Sequence, residues 1–326
     1  MPFIEHSTYK SPFWPLSCGH VQTIIPSFFR SGEMVDFRRE IFHTPDEDEI
    51  YLDWAQAGER QSDSLVIISH GLCGYSRRHY VLSLVKAFNA EGWDALAWNF
   101  RGTGGSPGLQ LKITTNNSTN ELDWIVRHAI AKGYRRLFFS GYSMGGNLTA
   151  LYFGREWQTL PPQVCGGAVF CATTDLVACS DNFETGIGRK YAGHFLKSLS
   201  KLVRRKAEMF PGTIDPTGVE QIKSFIEFDN RYTAPICGFK DAMDYYMTAS
   251  ACRHYRNLRV PLLMVEPKND PFLSGECYPV EEARRNRFLH LEIPKSGGHC
   301  GFITLRGTWW PARRAVDFMK QITLPQ

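Results

Sequence analysis

Apolar positions along the chain follow two rhythms. The first is the short continuous run: Leu65-Val66-Ile67-Ile68-Ser69, Ala95-Leu96-Ala97-Trp98, Leu137-Phe138-Phe139-Ser140, Gly167-Ala168-Val169-Phe170, Leu262-Leu263-Met264-Val265, and a last segment from Phe288 to Ile293. Runs of this length suit strands buried on both faces of a parallel sheet. The second rhythm lies between the runs. Tyr80, Leu84, Val85 and Phe88 share one helix face, and Leu122, Ile125, Val126 and Ala129 repeat the pattern. Strands alternating with helices predict βαβ units with right-handed crossovers. The expected fold class is α/β, a mostly parallel sheet flanked by helices.

The alternation stops between about residues 175 and 256. That stretch is rich in Lys, Arg, Gly and aromatics, with a turn expected at Pro211-Gly212. It predicts a mostly helical cap, residues 175–256, inserted between two parts of one core, residues 1–174 (with an N-terminal arm) and 257–326.

Composition narrows the class. In 326 residues, 37 Lys+Arg stand against 33 Asp+Glu, and 43% of positions are hydrophobic. This balance excludes a disordered or fibrous chain. A net charge of +4 over this length is too weak to imply nucleic acid as a partner. The basic cluster Arg204-Arg205-Lys206 reads as a solvated helix face. No window of 18 consecutive apolar residues exists, so no integral membrane segment is expected, and the opening Met1-Pro2-Phe3-Ile4-Glu5-His6 does not read as a secretory signal. Nine cysteines, none at C-x-x-C spacing, read as buried reduced thiols and suit a cytoplasmic protein.

The sharpest chemical signal is Gly141-Tyr142-Ser143-Met144-Gly145, placed after the strand 137–140 and before a helical pattern. A nucleophile on a sharp strand-to-helix turn needs glycines two positions to either side, because strand and helix approach closely there. The helix start also sets the N–H of Met144 at a positive helix end. Serine needs a base to take its proton, and the base needs a partner to hold it. On this type of fold the chain order is Ser, then acid, then His. His299, in Ser296-Gly297-Gly298-His299-Cys300-Gly301-Phe302, follows the last expected strand. Asp270, in Asn269-Asp270-Pro271-Phe272, follows the strand ending near Val265. An Asp before Pro also serves as an Asx-turn or helix cap. Glu266 and Asp175 are the rival acids.

Acyl transfer further needs donors for a developing oxyanion. The N–H of Met144 is one candidate. The N–H of Leu72, in the loop His70-Gly71-Leu72 after strand 65–69, is the other. His70 itself reads as a support for that loop. The glycine-rich Asn99-Phe100-Arg101-Gly102-Thr103-Gly104-Gly105-Ser106 lacks the lysine of a phosphate-binding loop, so Arg101 reads as structural.

These motifs resemble the α/β-hydrolase superfamily, and more narrowly the YheT-like family of esterases. The resemblance runs along nearly the whole chain. It rests on Phe13-Trp14-Pro15, Gly19-His20-Val21-Gln22-Thr23-Ile24, His70-Gly71-Leu72, Asn99-Phe100-Arg101-Gly102 and Gly141 to Asn147. It continues through Phe228-Asp229 to Tyr246, Asn269-Asp270-Pro271-Phe272, and Gly297-Gly298-His299-Cys300-Gly301-Phe302. It implies triad roles for Ser143, Asp270 and His299. Cys73-Gly74 departs from the family, whose members often carry an acidic residue there.

The expectation is a serine esterase acting on a small-molecule ester through an acyl-enzyme, with no metal or organic cofactor. The cap aromatics Phe183, Tyr191, Phe195, Phe225, Phe239, Tyr245 and Tyr246 suit short to medium acyl chains, or else form the cap's own core. Two alternatives stay open: an acyltransferase using the same acyl-enzyme, and a non-catalytic ligand-binding protein on this fold.

Overall fold

Leu65 and Ile67 pack into one apolar cluster, with Leu122, Ile125 and Leu148. Val66 and Ile68 pack into another, with Val81, Leu84, Val85 and Phe88. Successive side chains of a strand point to opposite faces, so an uninterrupted apolar run makes a sheet with a core on each side. The computed structural model describes residues 3–29, 34–305 and 309–323.

Element order is β1 (Phe3–Ile4), α1 (Gly19–Phe29), β2 (Arg38–His43), β3 (Glu49–Ala55), β4 (Ser64–Ser69), α2 (His79–Asn89), β5 (Asp94–Trp98), α3 (Thr119–Ala131), β6 (Arg136–Tyr142) and α4 (Met144–Arg155). There follow β7 (Val164–Phe170), α5 (Leu176–Asn182), α6 (Gly188–Met209), α7 (Phe225–Phe228), α8 (Ala234–Cys237), α9 (Ala242–Ala249), β8 (Leu262–Val265), α10 (Val280–Arg285), β9 (Leu289–Glu292) and α11 (Trp310–Thr323). The strands form one nine-stranded sheet in the order β1-β9-β8-β7-β6-β4-β5-β3-β2. Pairing is parallel from β1 to β5, and antiparallel where β3 joins β5 and β2.

Every expected strand is present, within three residues of the expected ends. The β2–β3 hairpin was not expected. Its β3 segment, Glu49-Ile50-Tyr51-Leu52-Asp53-Trp54-Ala55, alternates polar and apolar residues until Trp54, the signature of a strand near a sheet edge.

Between β7 and β8 the described chain is helical, with α5 to α9 and a 3₁₀ segment at Ala251–Asn257. Helix α6 ends at Met209, just before the turn at Pro211-Gly212, where Gly212 has φ 78°. The basic cluster on α6 divides. Arg204 and Arg205 are exposed, as expected of a solvated face. Lys206 is buried, and its ammonium donates to the carbonyls of Gly108 (3.2 Å) and Gln110. It points back into the protein because the glycine-rich loop offers carbonyls that need donors. Arg101 is structural, as expected: its buried guanidinium binds Asp46, Asp48 and Glu121. No described helix is long and apolar enough to cross a membrane.

Candidate active site

Ser143 stands alone between β6 and α4 with φ 54° and ψ −120°, a conformation non-glycine residues rarely hold. Packing on both sides enforces it. A Cβ on Gly145 would lie 2.3 Å from the Ser69 carbonyl oxygen, and one on Gly141 would lie 2.4 Å from the Gly145 carbonyl oxygen. The two glycines expected on grounds of close approach are therefore required by contact. The Ser143 N–H donates to Phe170 O (3.0 Å), and its carbonyl accepts the first helical bond from Asn147 (2.9 Å).

His299 and Asp270 are brought together. The His299 Nδ1–H donates to Asp270 Oδ2 at 2.8 Å, with Oδ1 at 3.1 Å, and both side chains are buried. This holds the proton on Nδ1 and leaves Nε2 as the acceptor whenever the ring is neutral. Burial alone would lower the His299 pKa, but the adjacent Asp270 charge, with Cys300 after it, outweighs burial and holds the imidazole's pKa at about 10, well above its ordinary range. Asp270 also accepts the Phe272 N–H at 2.8 Å, so the Asx-turn and the imidazole partner are one carboxylate.

The rival acids are engaged elsewhere. Glu266 is buried and accepts the Ala172 N–H (3.0 Å), and burial raises its pKa. Asp175 caps α5 through the Ala178 N–H (3.1 Å).

Ser143, Leu72 and Met144 line one cavity with Phe183, Phe195, Phe225, Tyr246 and Phe272. It encloses about 580 Å³ of empty space, part of it open to solvent. Among the described residues, the N–H groups of Leu72 and Met144 have no hydrogen-bond partner. The ring of Phe272 also packs on His299, centroids 4.1 Å apart and planes tilted by 39°, so the Asp270–His299 pair adjoins the cavity wall. Among the described residues no hydrogen bond yet joins Ser143 Oγ to His299. Such contacts are often loose without substrate. Of the expected aromatics, Phe183, Phe195, Phe225 and Tyr246 reach the cavity. Tyr191 instead bonds His20, while Phe239 and Tyr245 pack on each other with tilted rings.

Several supporting residues had no role assigned from the sequence. Thr23 Oγ1 accepts the His299 N–H (2.9 Å), and Asn269 Oδ1 accepts the Gly298 N–H (3.1 Å). Gln22 Oε1 accepts the Ile303 N–H at 3.1 Å. The Tyr80 hydroxyl accepts the Gly71 N–H (3.1 Å), bracing the Leu72 loop. His70 supports the same loop as expected. Its Nδ1–H donates to Gly71 O (2.8 Å), Nε2 accepts from Phe100 N–H (3.2 Å), and burial lowers its pKa to about 4.

The donors Cys171 Sγ, Cys300 Sγ and a His299 ring nitrogen lie within 4.8 Å of one another. Two thiols and an imidazole suit a soft divalent ion, which would occupy His299 in binding.

Residues 60–276 match the family model described as Serine aminopeptidase, S33. The chain is 31% identical over 308 residues to YheT of Escherichia coli (strain K12), spanning 92% of this chain and 89% of YheT. It is 29% identical over 296 residues to Phospholipase ABHD3 of Mus musculus, spanning 88% of this chain and 71% of that protein. The fold also matches the Pyrococcus furiosus esterase Pf2001, with a TM-score of 0.59 and 19% identity over 89% of this chain and 94% of that one. The family match and these relatives place the chain among the serine hydrolases of the α/β-hydrolase class. Within that class the chain belongs to the YheT-like α/β-hydrolase family.

Proposed function

We propose that this chain hydrolyses carboxylic esters, with Ser143 as nucleophile, His299 as general base and acid, and Asp270 as the group that orients and charges the imidazole. The observation that carries the reading is a strained Ser143 lining an apolar cavity whose wall residue Phe272 packs on the buried Asp270–His299 pair. Ser143 Oγ attacks the ester carbonyl as His299 Nε2 takes its proton. The unpartnered N–H groups of Leu72 and Met144 receive the oxyanion. His299 then protonates the leaving alcohol, and a water activated by His299 releases the acid from Ser143.

Helices α5 to α9, within residues 175–256, act as a cap over the cores 1–174 and 257–326, and give Phe183, Phe195 and Phe225 to the acyl pocket. Short to medium acyl chains suit a cavity of this size. YheT carries an esterase name, and ABHD3 is named a phospholipase.

The test is intact-mass labelling with a fluorophosphonate, followed by p-nitrophenyl esters of rising chain length. One adduct on the native chain and none on Ser143→Ala is expected, with a chain-length optimum. No adduct on folded protein overturns the reading. Diversion of product to a new ester by added alcohol moves it to acyl transfer.

A further inference from the structure

Helix α6, Gly188–Met209, carries a one-sided array of charge. Arg189, Lys190, Lys197, Lys201, Arg204 and Arg205 are all exposed. At 3.6 residues per turn they fall within about 160° of the helix circumference. Ala192, Leu196, Leu199 and Val203 lie on the opposite side, in a buried apolar cluster. Glu208 is the one acid on this helix. Arg204 is paired with Glu220, while among the described residues Lys190, Lys197, Lys201 and Arg205 have no carboxylate partner.

The same helix walls the cavity through Phe195, so its basic face is the outer side of the structure that encloses Ser143's cavity. Its first turns hold the N-terminal arm, since Tyr191 hydroxyl and His20 Nδ1 lie 3.1 Å apart. The turn leading into α1 presents Phe13 and Trp14, 67% and 80% exposed, and Ile187 beside the start of α6 is 46% exposed. Exposed large aromatics on the arm that α6 holds, together with a cationic helix face, fit the interface of a bilayer, where rings sit at headgroup depth and cations meet anionic lipid.

We propose that the outer face of α6, with Phe13 and Trp14, docks the protein on an anionic lipid surface. The docking sets the cavity beside the bilayer, which rests on the ester-hydrolase reading. The binding itself does not. A net charge of +4 over the whole chain conceals this face, because most other charges are balanced.

The experiment is co-sedimentation of the full chain with phosphatidylcholine vesicles, with and without about 30 mol % phosphatidylglycerol, in low and high salt. Binding to the anionic vesicles alone, weakened by salt, is expected. Combining Lys190→Gln, Lys197→Gln, Lys201→Gln and Arg205→Gln should weaken it by a hundredfold or more, at about fivefold per charge. Trp14→Phe should remove a share of the fluorescence quenching by brominated lipid. Equal binding to neutral vesicles, no binding, unchanged binding by the four-site variant, or preference for a DNA duplex would overturn the proposal. The four side chains are exposed, so the variant should keep its circular dichroism and its rate on a soluble p-nitrophenyl ester. Charge-dependent binding by a native chain inactive on soluble esters would sink the hydrolase reading and leave the surface standing.

Discussion

Phe272 packs on His299 at a tilt of 39°, its ring centroid 4.1 Å away, while its backbone N–H is held by the same Asp270 that holds the imidazole. One residue therefore ties the base, its carboxylate and the cavity wall together. Phe272→Ala should lower kcat by about 10²-fold, because ring orientation loosens where an error of 1 Å is that costly. Fluorophosphonate labelling should slow in step, while Phe272→Leu, which restores bulk, recovers part of the rate.

Asp270→Asn tests the electrostatics. The carboxylate, with Cys300, raises the His299 pKa to about 10, so neutral imidazole, the form that can accept a proton, gains ground as pH rises toward that value. The native kcat/KM should climb through the alkaline range. Removing the charge should move that limb to lower pH and reduce the plateau by about 10⁴-fold. A pH–rate profile of both proteins reads each effect, and an unmoved limb would exclude His299 as the titrating base.

The basic network at Arg101 concerns stability. Its guanidinium meets Asp48 Oδ2 at 2.8 Å and Glu121 Oε1 at 2.7 Å, all three groups buried. Arg101→Met leaves buried carboxylates without a counter-charge and should cost about 3–5 kcal/mol in urea unfolding. The variant's remaining folded fraction should still label at Ser143.

Tyr80→Phe removes the acceptor of the Gly71 N–H, which lies one residue before Leu72. A buried donor left unpaired costs about 1–3 kcal/mol. The expected outcome is a lower Tm together with a fall in kcat, since the loop shaping the oxyanion site loses its brace.

A soft divalent ion should inhibit. Cys171, Cys300 and His299 offer donors within 4.8 Å, and occupation of either ring nitrogen disables the base. Zinc should suppress turnover reversibly, with recovery on chelation. Cys171→Ser should weaken the inhibition at least tenfold while turnover without zinc continues, and undiminished inhibition would place the ion elsewhere.

Much of the core could be read from the chain because its rules are local. The run Leu262 to Val265 is a strand for the same reason that it is apolar on both faces. The elbow at Ser143 was legible because its glycines answer to contacts within the turn and with the adjoining strand end. Thr23 and Gln22 were not, since their hydrogen bonds reach 276 and 281 residues along the chain. Lys206 was misread for a related reason. Its neighbours Arg204 and Arg205 face solvent, and only the fold brings the Gly108 and Gln110 carbonyls under its own side chain. Asp270 showed that two readings of one residue need not compete.

The arm that seats the His299 loop is made long before it is used. Thr23 and Gln22 precede their partners His299 and Ile303 by 276 and 281 residues. Contacts of such sequence separation form late in folding. During synthesis the nascent chain holds a complete elbow and the Leu72 loop with no base beside them. On the proposed triad, hydrolytic competence arrives only once the His299 loop seats on Thr23, and a chain stalled before His299 stays inert.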